Sequence, residues 1–123
     1  MRRYRHDSGK LHKHKKFKSI YVGPRIKVGD IFENCRYYPV IATEVDGDDV
    51  TGVDLFSGRI TFCSRRNCIV KVLSPKEVGI KLQLKSKWIK AYNAYQSGFN
   101  SDVYRDVKTA EDILHNNTPT LSA

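Results

Sequence analysis

The sequence predicts a mainly β fold with helices at its C-terminal end, α+β in class: a five-stranded small barrel followed by one long and one short helix. Three observations carry this expectation. Residues 28–73 form the one continuous run of β-favouring apolar residues long enough to close a core, and turn residues break it at regular intervals. From Ser74 onward the apolar spacing changes from alternation to a helical period. The chain has 123 residues, 40% of them hydrophobic, and no long linker interrupts it, so it suits one core with appendages. The expected division is a basic flexible arm over residues 1–19, the small barrel over 20–73 and a helical extension over 74–123.

Taken in order, SIYVGPRIK (19–27) reads as a first strand that Pro24 confines to an edge. IFEN follows the Gly29-Asp30 turn as a second candidate strand, and residues 34–38 form a loop bearing Cys35, Arg36, Tyr37 and Tyr38. PVIATEV and VTGVDLF make the clearest pair, joined by DGDD, whose residues tolerate the positive φ of a hairpin turn. In the second of these strands Val53 and Leu55 are expected to share one face, against Asp54 and Phe56 on the other. Ser57-Gly58 turns the chain into RITFC, residues 64–68 supply a one-turn link, and IVKVL closes the set.

The runs VGD, YYPVIATEVDGDDV and DLFSGRITFCS resemble small SH3-like barrels of the KOW and Tudor kind, in which Gly-Asp opens the first strand and a glycine turn joins the third to the fourth. The resemblance covers residues 26–73 and implies a closed barrel. It carries no ligand across by position, because neither the cysteines nor the DGDD turn maps onto a KOW binding loop or a Tudor aromatic cage. The chain also resembles short proteins common in bacteria and their phages, which implies a source and no activity.

Ser74, Pro75 and Glu77 spell a helix start: a capping serine, proline at the first helical position and glutamate three residues after the cap. The helix is expected to run to Ser97 and to stop at Gly98. Ile80, Leu84, Trp88, Ala91 and Tyr95 line one face of it, Val78, Leu82, Ile89 and Tyr92 an adjacent one, and Lys81, Lys85, Lys87 and Lys90 a basic side. A short helix from Thr109 to Asn116 is expected next, and the terminal NNTPTLSA is expected to fray.

Charge is concentrated at one end. Eight Lys and Arg against Asp7 give residues 1–18 a charge of +7, out of a formal +9 for the whole chain, which leaves +2 for the other 105 residues. An arm of this composition has too little apolar surface to order alone. Its chemistry points to a polyanion, since each phosphate neutralised on a duplex adds about 0.9 to the salt slope of log affinity. The candidate nucleic-acid contacts are therefore Arg2, Arg3, Arg5, Lys10, Lys13, Lys15, Lys16 and Lys18. Arg36, Arg65 and Arg66 are expected to extend the same surface, and Tyr37 and Tyr38 either stack on unpaired bases or pack in the core.

Other chemistries find less in the sequence. Cys35, Cys63 and Cys68 are an odd set, which argues against a secreted disulfide framework and for a reduced, cytoplasmic setting. With His12 or His14 they make only a weak zinc set, since Cys63 and Cys68 lack the usual short knuckle spacing; small buried hydrophobes explain them better. Glu44, Asp46, Asp48, Asp49 and Asp54 suggest Mg²⁺ at first sight, but their place on a hairpin favours turn chemistry. The start is basic and acid-poor like a transit peptide, yet it lacks the serines and the amphipathic pattern of one. Neither a phosphate loop nor a nucleophile motif is present, and no apolar run is long enough to span a membrane.

The expectation is a non-enzymatic nucleic-acid-binding module without cofactor, favouring RNA or a ribonucleoprotein over DNA. Two alternatives stand beside it. One is a protein-interaction module, such as a phage-type inhibitor or adaptor of a host nucleic-acid enzyme, binding through Trp88, Tyr92 and Tyr95. The other is an oligomeric assembly component whose arm reaches a neighbouring subunit.

Overall fold

The computed structural model describes residues 22–98 and 102–117. Five strands appear in chain order: β1 (Ile31–Asn34), β2 (Pro39–Asp46), β3 (Asp49–Asp54), β4 (Ile60–Ser64) and β5 (Ile69–Val72). Three helices follow: α1 (Pro75–Gln83), α2 (Lys85–Gln96) and α3 (Asp102–Asn117). The fold is α+β, and the helices hold more residues than the strands, so the expected β majority is not met.

All strand pairs are antiparallel and the sheet order is β4-β3-β2-β1-β5. The sheet is open: β4 and β5 are its two edges, and the closed barrel expected from the resemblance does not form. Between these edges the chain makes a tight turn instead of a ladder. Asn67 and Cys68 amides both donate to the Ser64 carbonyl, and Gly23 N–H donates to the Arg65 carbonyl at 2.6 Å. Residues 22–27 form no strand, contrary to the expected first one. Pro24 has no N–H for a ladder, and the carbonyls of Gly23 and Pro24 accept from Arg65 Nε at 3.1 and 3.2 Å.

Register decides what each face of the sheet buries, because directly paired residues point the same way. One face carries Phe32, Val40, Ala42, Val50 and Cys63, which pack with Ile26, Cys68 and Ile69 into a small core. At Gly52 this packing is so close that a Cβ would stand 2.5 Å from the Ile41 carbonyl oxygen and 2.6 Å from Val40 Cγ1. Asp54 and Phe56 are buried and Val53 and Leu55 only partly so, which keeps the expected alternation and puts the buried face on the Asp54 side. Asp54 earns its burial as a turn residue, its carboxylate accepting from the amides of Phe56 at 2.7 Å and Ser57 at 3.2 Å.

The other face turns Glu33 and Lys71 toward the helices. A second core forms there from Tyr38, Phe56, Ile80, Leu84, Trp88, Ala91 and Val107. At the β4 edge this face is uncovered, and Ile60 and Phe62 stand 67% and 74% exposed.

The helix start matches its signature. Ser74 Oγ accepts from Glu77 N–H at 3.1 Å, and the Glu77 carboxylate accepts from Ser74 N–H at 2.8 Å. The single helix expected to reach Ser97 is interrupted at Leu84, with φ −102° and ψ 16°. Neither Pro nor Gly lies between Ile80 and Ser97, so the break has a tertiary origin. It lies between Lys81, which reaches Glu33 on β1 and Glu111 on α3, and Trp88, which reaches the same Glu111. Gly98 ends the pair at φ 89°, as expected. The last helix begins seven residues before Thr109, which lies in its middle with its hydroxyl donating to the Arg105 carbonyl at 2.9 Å.

Candidate functional site: an aromatic cleft beside a buried ion triad

Residues 35–38 connect β1 to β2, with 35–37 closed as a three-residue turn between Asn34 and Tyr38, and Asn34 builds it. The Asn34 backbone N–H donates to the Tyr38 carbonyl at 3.0 Å, and its carbonyl accepts from Tyr37 N–H at 2.8 Å. Its buried side-chain oxygen accepts from Arg36 N–H at 2.9 Å and Tyr38 N–H at 3.0 Å. Such loops end on a residue in the left-handed region, a place for Gly or Asn. Here Tyr37 occupies it at φ 67°, the one non-glycine residue with positive φ among the described residues. Strain of this kind persists where the surroundings hold it, and it marks sites that use it.

The held geometry sends Tyr37 toward the helices. Its ring centroid lies 5.8 Å from that of Trp88 and 5.5 Å from that of Tyr104, the latter edge to face. Trp88 and Tyr104 are 5.8 Å apart, and Tyr95 adds a ring 5.7 Å from Tyr104. Tyr92 stands 5.1 Å beneath the Arg36 guanidinium. Together with Glu33, Cys35, Arg105 and Lys108 these rings line a cleft of about 490 Å³. That volume lies within the range of small-molecule sites, about 300–1,000 Å³.

Behind the cleft lies a charge cluster. Lys81, 3% exposed, places its Nζ 2.7 Å from Glu33 Oε2 and 3.0 Å from Glu111 Oε2, and 3.8 Å from the Trp88 ring centroid. Charge and the ring face hold the ammonium, since neither carboxylate contact has good hydrogen-bond alignment. Trp88 Nε1 donates to Glu111 Oε2 at 2.6 Å, so α3, α1, α2 and β1 meet at this point. Lys81 and Trp88 are seven residues apart, two helical turns, and therefore share a face despite the break at Leu84. A second hollow of about 240 Å³ opens on the other side of the cluster, lined by Lys71, Glu77, Asp112 and His115 among others.

Tyr37 and Tyr104 in the cleft hold their hydroxyl protons more firmly than a free phenol. Burial pushes Tyr37 and Tyr104 above the ordinary phenol value, with nearby Glu33 adding at Tyr37. Burial also takes Tyr38 up to about 12 against a smaller opposing pull from Arg36. These groups offer ring faces and hydrogen bonds, not proton transfer at neutral pH.

The sequence-predicted residues are redistributed. Arg2, Arg3, Arg5, Lys10, Lys13, Lys15, Lys16 and Lys18, with His12 and His14, lie outside the described residues. Arg65 is a structural cation: Nη1 bonds Asp48 at 2.9 Å while Nε holds the 22–27 segment. Arg66 bonds the same Asp48 at 3.2 Å but remains exposed. Tyr38 is a core residue, 4.8 Å ring to ring from Phe56, and no platform for a base. Trp88, 2% exposed, is likewise core and closed to a protein partner, whereas Tyr92 and Tyr95 do line the cleft. Lys81 belongs to the buried cluster and not to the basic side, where Lys85, Lys87 and Lys90 are exposed as expected.

The cysteines do gather. Cys35 and Cys68 place their sulfurs 3.7 Å apart, and none of the three is in a disulfide. For Cys68 the contact from Cys35 favours the thiolate, but those to Cys63 and burial outweigh it and raise the thiol to about 12. Among the described residues no cluster of His, Cys, Asp and Glu is arranged to hold a metal. Of the acidic turn, Asp48 is taken by two arginines and Asp54 by backbone amides.

Sequence reading did not find Tyr104, Glu33, Glu111 or Lys108. The spacing of Val103, Val107, Ala110 and Leu114 signals the long α3 that carries three of them. No family model matches the chain, and neither a curated protein nor a solved structure matches it.

Proposed function

We propose that the protein is a non-enzymatic nucleic-acid-binding module that favours RNA. The observation that carries this reading is the charge distribution, with +7 of the formal +9 in residues 1–18. The exposed Lys85, Lys87 and Lys90 on α2 support it, because they add outward positive charge to a body in which Arg65, Arg66, Lys71 and Lys81 are paired with carboxylates. The reading built on Trp88 as a protein-partner contact has less support, since that ring is enclosed.

The test is binding of a fluorescein-labelled RNA to the full chain by anisotropy between 50 and 200 mM salt. Affinity should fall steeply with salt, with a slope reporting several phosphate contacts. Changing Lys13, Lys15, Lys16 and Lys18 together to Gln should flatten that slope. A chain that binds no RNA at 50 mM salt, or whose slope ignores these substitutions, refutes the reading.

A further inference from the structure

The aromatic cleft is a binding site for an unpaired nucleobase, we infer, with the attached phosphate at Lys108 and Arg105; this rests on the nucleic-acid reading above. The first ground is the strained Tyr37. A loop that would close more easily with Gly or Asn holds a 40% exposed aromatic ring over the cleft. Ordinary core packing needs no such residue there, because Trp88 and Tyr104 already pack against each other at 5.8 Å.

The second ground is the electrostatics, which select among ligands that aromatic clefts take. Rings of this kind also attract cationic ligands. Here Lys81 already sits 3.8 Å from the Trp88 centroid and Arg36 5.1 Å from that of Tyr92, so internal cations occupy two of the ring faces a cationic ligand would use. An uncharged planar base does not compete with them for that contact. It stacks on a ring face and finds tyrosine hydroxyls as hydrogen-bond partners. Lys108, 55% exposed at the rim, and Arg105, which pairs with Asp102 along the helix, then meet its phosphate.

A base held inside a duplex stack cannot reach these rings, so the site distinguishes single strands from duplexes. The arm binds both alike by charge.

The experiment compares a labelled single-stranded RNA, the same sequence as DNA, and an RNA duplex, each against the full chain and against Tyr37→Asn and Tyr37→Phe. Asn accepts the positive φ and removes the ring; Phe keeps the ring. Tyr37→Asn should weaken single-strand binding by about tenfold, the effect of one lost stacking partner. Tyr37→Phe should restore most of it, and duplex binding should not change. Trp88 is the only tryptophan and reports the cleft directly, so its emission should change when the single strand binds. Equal single-strand affinity for wild type and Tyr37→Asn, or a parallel loss on the duplex, overturns the inference while leaving the charge-based reading intact. Absence of all binding by wild type at low salt defeats both. Should Tyr37→Asn fail to fold, Trp88 emission of the wild type titrated with adenosine and uridine monophosphates decides: a saturable change supports the site and none overturns it. RNA and DNA strands bound equally support a base site without sugar selection.

Discussion

Changing Lys81 to Met removes one ammonium and keeps most of the stem volume, so the effect reads the charge cluster more than a cavity. It strands two carboxylates whose side chains are 6% and 10% exposed. The contacts of 2.7 and 3.0 Å to Nζ put the Glu33 and Glu111 oxygens no more than 5.7 Å apart. At that separation two negative charges repel by about 3 kcal/mol at an effective dielectric constant of about 20. With the ammonium gone nothing offsets that repulsion, and removing one partner of a buried ion pair costs ~3–5 kcal/mol. At about 4 °C per kcal/mol for a chain of this size, Tm should fall by about 12–20 °C.

Differential scanning calorimetry and urea unfolding measure the loss. The double variant Lys81→Met with Glu33→Gln should recover part of it, because one stranded charge is gone. Adding Glu111→Gln should recover more, since Gln still accepts from Trp88 Nε1. A Lys81→Met protein that melts within about 2 °C of wild type would refute the claim that the cluster is closed to water.

Three further predictions test the fold. Gly52→Ala should cost about 1–3 kcal/mol in urea unfolding, because its Cβ meets the Ile41 carbonyl at 2.5 Å and backbone must move; an unchanged midpoint would contradict the strand packing. Glu77 is held below the ordinary carboxylate value: burial pushes it up, but the Ser74 amide and Lys71 pull harder downward. Its contribution is therefore present above the unfolded carboxylate value and lost as pH falls through the lower folded one. Lys71, raised mainly by its hydrogen bond to Glu77, keeps its contribution below the unfolded amine value and loses it as pH rises through the higher folded one. The unfolding free energies of wild type and Glu77→Gln from urea titration should differ at pH 7, by no more than about 1 kcal/mol for so exposed a pair, and converge near pH 3. Finally, Cys68 and Cys63 are buried and the Cys68 thiol lies at about 12, so a thiol reagent at pH 8 should label Cys35 first and the other two only on unfolding; rapid native labelling of all three would show an open core.

Local signals in the sequence located strands β1 to β5 because alternation and turn chemistry act within a few residues. The Ser74–Glu77 box and Gly98 stop are equally local, each closing hydrogen bonds inside one turn of chain. The phase of β3 was not legible, because Asp54 looks polar and outward until its carboxylate is seen caging the amides of Phe56 and Ser57. Tyr37 was visible as a loop aromatic, but its meeting with Trp88 and Tyr104 spans residues 51 and 67 positions away, which no periodicity encodes.

By itself the sequence determined strands β1 to β5, the helix start at Ser74, the charge asymmetry and the absence of any long apolar span, all of them properties of neighbouring residues or of composition. Only the tertiary structure decided that the sheet stays open, that the long helix breaks at Leu84, and that Lys81 leaves the basic side to join Glu33 and Glu111. The reason is the same in each case. Burial of a charge or closure of a sheet depends on partners brought from distant parts of the chain, and the free energy of those meetings exceeds the local preferences that a sequence displays.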